Sequence, residues 1–242
     1  MTDAVLNLER VTKRFGGLTV LRSVDLSVGG AEIVGLIGLN GADKSTLFNV
    51  VTALYRPEEG DVFFGDRRIT GAAAHRICRL GVARTFQLVR TFLSMTAREN
   101  VMVAAVYGRG TGREAKRACD QALELVGLTA HAEQVTEHMT LALRRMVEMA
   151  RALASAPKIV LLDEPMAGLN ASEIDEMVKV IRRARDERKL SVLWVEHKVD
   201  AIMRLCDRVA VLDYGTKISD GTPAETLVNP KVIEAYLGEP AA

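Results

Sequence analysis

The chain has 242 residues, of which 48% are hydrophobic and 26% charged, and its formal net charge is +1. The length allows one large α/β domain or two closely joined subdomains, and the composition is typical of a globular protein. The near-zero charge argues against a general attraction to nucleic acid or to an anionic membrane. Three widely spaced cysteines indicate neither a disulfide framework nor a metal site, and no apolar run is long enough to cross a bilayer.

The first part of the chain is rich in short strand patterns. AVLNLERV, LTVLRSVDLSV and AEIVGLIG each read as strands, and the apolar spacing of STLFNVVTAL predicts a helix from Lys44 to about Leu54. RPEEGDVFFGDRRI predicts a turn, a strand and a second turn. From about Leu88 to Ala156 the pattern becomes helical.

The last part of the chain returns to alternating strands and helices. KIVLLDEP predicts a buried strand, and SEIDEMVKVIRRARDERK predicts a long amphipathic helix capped by Ser172. SVLWVEH predicts another strand, VDAIMRLC a helix, and DRVAVLDYGTKISDG a hairpin that turns at Tyr214 and Gly215. This order predicts a mostly parallel sheet core with a helical subdomain between its halves. The predicted division is 1–87, 88–156 and 157–242.

Residues 38–46, GLNGADKST, lie between a buried strand and a helix and form a candidate phosphate loop. Its backbone N–H groups would form an anion cradle, helped by the start of the helix. Lys44 would contact the β- and γ-phosphates, and Ser45 would give its hydroxyl to Mg²⁺. The alternative is an ordinary strand–turn–helix with a buried-edge lysine. The residues predicted to bind the nucleotide here are Gly38, Asn40, Gly41, Ala42, Lys44, Ser45 and Thr46.

Polar side chains follow three other strands. Asp163 suits a water-mediated contact with Mg²⁺, and Glu164 suits a general base for the attacking water. His197 would hydrogen-bond the γ-phosphate, and Gln87 would reach the metal or its water. Taken singly, the acids would form a solvated strand end, the histidine would be structural and the glutamine would lie on the surface. Because ligands of parallel sheets bind beyond the carboxyl ends of the strands, the combination favours hydrolysis of a nucleotide.

The phosphate loop, Gln87, LLDEP at 161–165, AGLN at 167–170 and His197 follow one another in the order of a known family. The chain resembles the ATP-binding subunits of ABC transporters over nearly its full length. KRFGGLTVL, VTALYRPEEGDVFF, GVARTFQLVRTF, MTARENVMVA and the tail LDYGTKISDGTPAETLVNPKVIEAYLG resemble the subunits of branched-chain amino acid importers. The resemblance implies an α/β fold of the P-loop NTPase (RecA-like) type. Such a fold has a parallel-sheet core, an N-terminal antiparallel β subdomain and an inserted α-helical subdomain. It also implies an ATPase that uses ATP and Mg²⁺.

The resemblance further implies an assembly. A second ATP-binding subunit would complete a nucleotide sandwich, transmembrane permease subunits would bind at the segment with Arg90 and Phe92, and a solute-binding protein would act indirectly. The chain would lie peripherally on the cytoplasmic face of the membrane, without a nucleic acid partner. Phe15 would stack on adenine, unless it is a core phenylalanine, and Gly168 to Asn170 would form the loop that crosses the dimer interface.

One departure from the family pattern is Asp43, where the phosphate loop normally has glycine. Aspartate tolerates a left-handed backbone better than most residues, so its charge is the larger problem. A carboxylate ~4 Å from a phosphate charge costs roughly 4 kcal/mol at an effective dielectric constant of about 20, equivalent to a loss of affinity on the order of a thousandfold. Mg²⁺ ligation or rotation into solvent would relieve part of this cost.

The second departure lies in the signature segment, MTLALRRMVEMARAL (139–153). Thr140 would replace the usual serine, whereas Ala142 and Leu143 occupy glycine and glutamine positions. The added β-carbon and the lost amide would weaken contact with the opposite γ-phosphate. Arg144 and Arg145 either compensate electrostatically or form a solvated basic helix face.

Three functions are consistent with these residues. The first is the energising ATPase subunit of an importer for branched-chain or related small amino acids. The second is a catalytically impaired structural or regulatory subunit of such a transporter. The third, a soluble member of the superfamily that acts on nucleic acid or ribosomes, is disfavoured because the chain has one nucleotide domain and no strongly basic arm.

Overall fold

The computed structural model describes residues 4–39 and 41–237. The described residues up to Leu80 and from Ser191 onward form one compact unit, and Gly81–Leu190 form a second. Asn40, one of the predicted nucleotide-binding residues, lies outside the described residues. The division into 1–87, 88–156 and 157–242 stays a prediction.

An antiparallel sheet forms one part of the first unit. Its strand order is β2-β1-β4-β5, and β1 pairs antiparallel with both β2 and β4. Leu6 and Leu8, two residues apart in β1, are buried, so this part of the strand presents one face to a core, as expected for a sheet that is solvated on its other side. The strands are β1 (Ala4–Phe15), β2 (Leu18–Gly29), β4 (Glu59–Phe64) and β5 (Arg67–Arg68).

The second sheet of the first unit contains parallel strands. Strand β3 (Ile33–Ile37) pairs in parallel with β8 (Ser191–Val195) and with β9 (Arg208–Asp213), and β10 (Thr216–Gly221) is antiparallel to β9. Every residue of β3 and β8 is buried, which explains their continuous apolar runs. The helices of this unit are α1 (Lys44–Val51), α2 (Ala74–Leu80), α7 (Val199–Leu205), α8 (Pro223–Leu227) and α9 (Pro230–Leu237).

The second unit combines two parallel strands with four helices. Strand β6 (Val82–Arg84) pairs in parallel with β7 (Ile159–Asp163), so both strands end at the same edge. The helices are α3 (Ala97–Arg109), α4 (Arg113–Leu125), α5 (Leu141–Ala154) and α6 (Ala171–Arg188). In the part of the chain that the structure describes, no helix is both long and apolar enough to cross a membrane.

Two helix boundaries differ from the prediction. Helix α1 ends at Val51 rather than near Leu54, because Ala53 adopts a left-handed conformation with φ of 56°. The first helix after Leu88 begins only at Ala97, and the intervening chain is irregular.

The predicted cap of α6 is also wrong. Asn170, not Ser172, caps this helix: its side-chain oxygen accepts a hydrogen bond from the Glu173 backbone N–H, and the Glu173 side chain accepts one from the Asn170 N–H. By contrast, the hairpin of β9 and β10 turns at Tyr214 and Gly215, as predicted, and both residues have positive φ, as the tight hairpin turn requires. Helices α2, α8 and α9 were not predicted.

Candidate functional site

The phosphate loop, residues 38–46, follows the buried strand β3 and leads into α1. Gly38 packs so closely on β9 that a Cβ there would lie 2.2 Å from the Leu212 carbonyl oxygen. The Lys44 side chain is only 6% exposed, and its Nζ donates hydrogen bonds to the carbonyl oxygens of Gly38 (2.7 Å) and Leu39 (3.1 Å). A buried lysine therefore folds back over the beginning of the loop and holds its shape.

Asp43 occupies the N-cap of α1 in a left-handed conformation, with φ of 63° and ψ of 27°. Its side chain makes no capping hydrogen bond, and among the described residues its carboxylate accepts a single long bond of 3.3 Å, from the Thr46 hydroxyl. Burial raises the pKa of the Asp43 carboxyl, against the opposing effects of the Thr46 hydrogen bond and the Lys44 charge. The backbone thus tolerates aspartate, whereas the charge is poorly compensated.

Four more residues that were predicted to bind the nucleotide lie in this loop or at the start of α1: Gly41, Ala42, Ser45 and Thr46. Ser45 is exposed, and Ala42 is buried. Because Leu36 of β3 pairs with Val195 of β8, the phosphate loop and His197 leave adjacent parallel strands at the same edge. His197 is exposed, and its backbone N–H donates to the carboxylate of the buried Glu196 at 3.1 Å.

Phe15 lies at the end of β1 and is 44% exposed, so it is not a core phenylalanine. Its ring meets that of Tyr55 edge to face, with the centroids 5.1 Å apart. The Lys13 ammonium lies 5.0 Å from the Phe15 ring centroid and is itself bonded to Glu58. The Phe15 ring is therefore fixed from one side and accessible from solvent, as a stacking surface requires.

In the second unit, Arg84 and Asp163 form a buried ion pair at the ends of β6 and β7. Arg84 Nη2 lies 2.8 Å from Asp163 Oδ2, and the two side chains are 8% and 4% exposed. Asp163 Oδ1 is buried and has no hydrogen-bond partner among the described residues. An acceptor oxygen in that state fits the water-mediated metal contact predicted for Asp163. Residues 4–39 and 41–237 contain no cluster of three or more His, Cys, Asp or Glu side chains that would bind a metal without ATP.

Gln87 and Glu164, predicted from separate motifs, are in direct contact. Gln87 Nε2 donates to Glu164 Oε2 at 3.0 Å. Glu164 has a φ of 48°, a left-handed backbone that is unusual for glutamate and costs on the order of 1–3 kcal/mol. Strain of this kind is concentrated at functional sites.

The signature segment begins helix α5. Thr140 caps the helix, and its hydroxyl accepts a hydrogen bond from the Leu143 N–H at 3.3 Å. Gly168, with φ of 80°, packs on this segment so tightly that a Cβ there would lie 2.7 Å from Leu141 Cδ2. The signature segment and the 167–170 loop are therefore in contact within one unit.

The two arginines that follow do not form a solvated basic face, which corrects that alternative. Arg144 donates hydrogen bonds to the carbonyl oxygens of Thr136 and Glu137. Arg145 is buried and donates to the carbonyl oxygens of Phe86 and Gln87. Both guanidinium groups are thus used to hold neighbouring backbone.

Sequence reasoning did not find the partners of the predicted residues. Arg84 is the last residue of β6, just before Thr85. An arginine at the end of one strand and an acid at the end of another were the available signal for the ion pair with Asp163. Nothing local to Tyr55 indicates that it supports Phe15, because the two rings are 40 residues apart in the chain.

Comparison with known proteins identifies the family of this chain. A family model described as "ABC transporter" matches residues 21–167, and one described as "Branched-chain amino acid ATP-binding cassette transporter" matches residues 216–242. The chain is 38% identical to the high-affinity branched-chain amino acid transport ATP-binding protein LivG of Escherichia coli (strain K12), over 99% of this chain and 100% of the relative. It is also 38% identical, with the same coverage, to BraF of Pseudomonas aeruginosa, which carries the same description.

A solved structure confirms the predicted fold. The ADP conformation of MJ1267, an ATP-binding cassette of an ABC transporter, matches with a TM-score of 0.88 at 28% identity, over 98% of this chain and 100% of that one. The phosphate loop, the acids after β7 and the near full-length matches lead to one conclusion. This chain belongs to the ABC transporter family, as one of its ATP-binding proteins.

Proposed function

We propose that this chain is the ATP-hydrolysing subunit that energises an importer of branched-chain amino acids. The observation that carries the proposed hydrolysis is the contact between Gln87 and Glu164. The Gln87 amide donates to the Glu164 carboxylate at 3.0 Å, and the Glu164 backbone is strained. The names of the LivG and BraF relatives support the transported class, as does the match of residues 216–242.

The roles of the residues follow from their chemistry. The backbone N–H groups of the phosphate loop and the Lys44 ammonium bind the phosphates, while Phe15 stacks on the adenine ring. Glu164 accepts a proton from the attacking water, and Gln87 orients the carboxylate for that transfer. His197 donates a hydrogen bond to the γ-phosphate.

Mg²⁺ fits the donors that the chain provides. Ser45 would supply a hydroxyl, Gln87 an amide oxygen, and the partnerless Oδ1 of Asp163 a contact through water. When bound, the ion neutralises charge on the β- and γ-phosphate oxygens. Because Arg84 already occupies Asp163 Oδ2, only one oxygen of that carboxylate remains for this role.

The proposed assembly has a second ATP-binding subunit, transmembrane permease subunits and, indirectly, a solute-binding protein. The chain would lie on the cytoplasmic face of the membrane as a peripheral subunit. Leu88, Phe92 and Leu93 are exposed apolar residues of the segment proposed to bind the permease, which favours a protein partner at that surface.

A second candidate function is supported by Asp43 and by Ala142 with Leu143. The poorly compensated carboxylate would weaken nucleotide binding by this chain, and the altered signature would weaken the site completed by its partner. Such a chain would act as a structural or regulatory subunit while a second ATP-binding subunit hydrolyses ATP.

Equilibrium binding and hydrolysis of Mg·ATP by the purified chain, beside Asp43→Gly, separate the two functions. Tight binding and hydrolysis by both proteins support the ATPase subunit. Binding and hydrolysis by Asp43→Gly alone support the structural subunit, because the remaining machinery then works once the charge is removed. If neither protein hydrolyses ATP although both bind it, the proposed hydrolytic role of Gln87 and Glu164 is wrong.

A further inference from the structure

The loop that carries Gln87, residues 85–92, has no regular secondary structure, and several of its backbone polar groups are hydrogen-bonded to side chains. Two of these partners come from Arg145 of α5. Arg145 Nη1 donates to the Phe86 carbonyl oxygen at 3.1 Å, and Nη2 donates to the Gln87 carbonyl oxygen at 2.8 Å. One planar guanidinium therefore holds two consecutive peptide groups in a fixed orientation.

The same helix also holds the next part of this Gln87 loop. Glu148 Oε1 accepts a hydrogen bond of 2.7 Å from the Arg90 backbone N–H, and Arg151 Nη1 donates one of 2.5 Å to the Arg90 carbonyl oxygen. The three side chains follow at intervals of three residues, so they lie along one side of α5. Four backbone atoms between Phe86 and Arg90 are thus bonded to a single helix.

Arg145 and Glu148 are buried, and each has a side chain only 6% exposed. Their charged groups lie 3.7 Å apart, and Arg145 Nε and Glu148 Oε2 have no hydrogen-bond partner among the described residues. Burial raises the pKa of Glu148, against the opposing effects of the Arg90 N–H and of the Arg145, Arg151 and Arg90 charges. A buried pair with incomplete hydrogen bonding is a poor source of stability compared with apolar packing, so its value lies in the orientation it imposes.

We propose that Arg145, with Glu148 as its buried partner, is a positioning residue that fixes the Gln87 loop to α5 and so places the Gln87 amide against Glu164. The connection is short, because Gln87 is bonded to Arg145 through its carbonyl oxygen and to Glu164 through its side chain. Arg145 lies in the signature segment at the start of α5, so a movement of this part of the helix would be transmitted to Gln87 through the Arg145 side chain. The proposal rests on the proposed function, in which Gln87 and Glu164 act in hydrolysis.

The experiment compares four forms of the full-length chain. Arg145→Met/Glu148→Gln removes both clamping charges together, so that no charge is left buried without its partner, and Arg145→Lys keeps the charge but loses the paired donors. Arg188→Met is the matched control, since Arg188 also donates to a backbone carbonyl of the second unit, that of Leu153, but contacts no residue of the Gln87 loop. Amide hydrogen exchange over residues 85–92 is measured without nucleotide, and kcat and KM for Mg·ATP are measured on the same samples.

Exchange over residues 85–92 should rise at least tenfold in the double variant and by less in Arg145→Lys, with no change in Arg188→Met. In the double variant kcat should fall about tenfold at saturating Mg·ATP while KM stays within twofold, and Arg145→Lys should recover part of kcat. A merely structural role predicts instead a lower folded fraction with kcat per folded molecule unchanged, and that result would overturn the proposal. Unchanged exchange would overturn it as well.

The two proposals fail differently. If the unmodified chain does not hydrolyse Mg·ATP, the proposed ATPase function is wrong, and exchange alone then decides whether Arg145 and Glu148 hold the Gln87 loop. If the unmodified chain hydrolyses ATP but exchange in the double variant equals that in Arg188→Met, the positioning role is wrong and the ATPase function stands.

Discussion

The phosphate loop and the ends of β6 and β7 both carry acidic side chains. These side chains differ in their hydrogen-bond partners. In the phosphate loop, the Asp43 carboxylate accepts one hydrogen bond from the described residues, of 3.3 Å from the Thr46 hydroxyl, and burial raises the pKa of Asp43. At the catalytic edge, defined here as residues 84–87 and 163–164, Asp163 is paired with Arg84 at 2.8 Å and Glu164 accepts from Gln87 at 3.0 Å.

The difference lies in the hydrogen-bond partners of the acids. Asp163 and Glu164, the acids proposed to act in hydrolysis, have partners that fix their orientation, whereas the Asp43 side chain is bonded to Thr46 alone among the described residues. Lys44 lies beside Asp43 in the chain, but its ammonium is directed to the Gly38 and Leu39 carbonyls. Binding of ATP, rather than its cleavage, is therefore the step that the departures from the family pattern should limit.

The largest effect is expected from a substitution at the catalytic edge. Glu164→Gln keeps the side-chain shape and an acceptor for Gln87 but removes the base, so single-turnover hydrolysis should fall by about 10²–10⁴-fold while the Kd for ATP changes little. Glu176→Gln, which changes an exposed acid on α6, should hydrolyse ATP at the unmodified rate. Hydrolysis by Glu164→Gln at the unmodified rate would exclude Glu164 as the base.

A stability measurement tests whether the catalytic edge is also the more tightly built region. Arg84→Met leaves Asp163 buried without its partner and should lower the free energy of unfolding in urea by about 3–5 kcal/mol. Arg14→Met breaks the exposed pair with Glu59 in the first unit and should cost no more than about 1 kcal/mol. Equal losses in the two variants would mean that the buried pair contributes no more to the free energy of unfolding than the exposed pair.

The phosphate loop is tested by separating the charge of Asp43 from its backbone. Asn tolerates the left-handed conformation and keeps a hydrogen-bonding side chain, so Asp43→Asn should tighten ATP binding by nearly as much as Asp43→Gly, by about 10–1000-fold. Asp66→Asn, the same charge change at an exposed turn of the first unit, should leave the Kd unchanged. Recovery in the glycine form alone would assign the defect to the close approach of the backbone rather than to charge.

The sequence predicted the strand ends on which these candidate site residues lie. The phosphate loop, Asp163 with Glu164, and His197 each occupy a few consecutive residues, and the apolar run before them predicts the strand end on which they lie. The sheets and the α/β fold class were predictable for the same reason, because alternation of short apolar runs and helical periods is a local property.

The contacts that orient these residues were not predictable. Arg84 reaches Asp163 across 79 positions, and Arg145 reaches Gln87 across 58. Both contacts depend on strand register and helix rotation, which no local pattern determines. The irregular stretch between Leu88 and Ala97 was wrongly predicted to be helical for a related reason. Its backbone is held by distant side chains, such as Asn100 and Thr136 at the Phe92 carbonyl.

The smallest effect is expected at the N-termini of α6 and α1. Asn170 and Ser172 each precede an acid by three residues, so the sequence contains two overlapping capping patterns, and the structure uses the one with Glu173. Asn170→Ala should therefore lower the free energy of unfolding by about 1 kcal/mol, whereas Ser172→Ala should change it by less than about 0.5 kcal/mol. Asp43→Gly at the start of α1 should not destabilise the chain in this way, because Asp43 makes no capping bond to lose. Urea unfolding of the three variants measures all of these differences, and a larger loss for Ser172→Ala than for Asn170→Ala would contradict the observed cap.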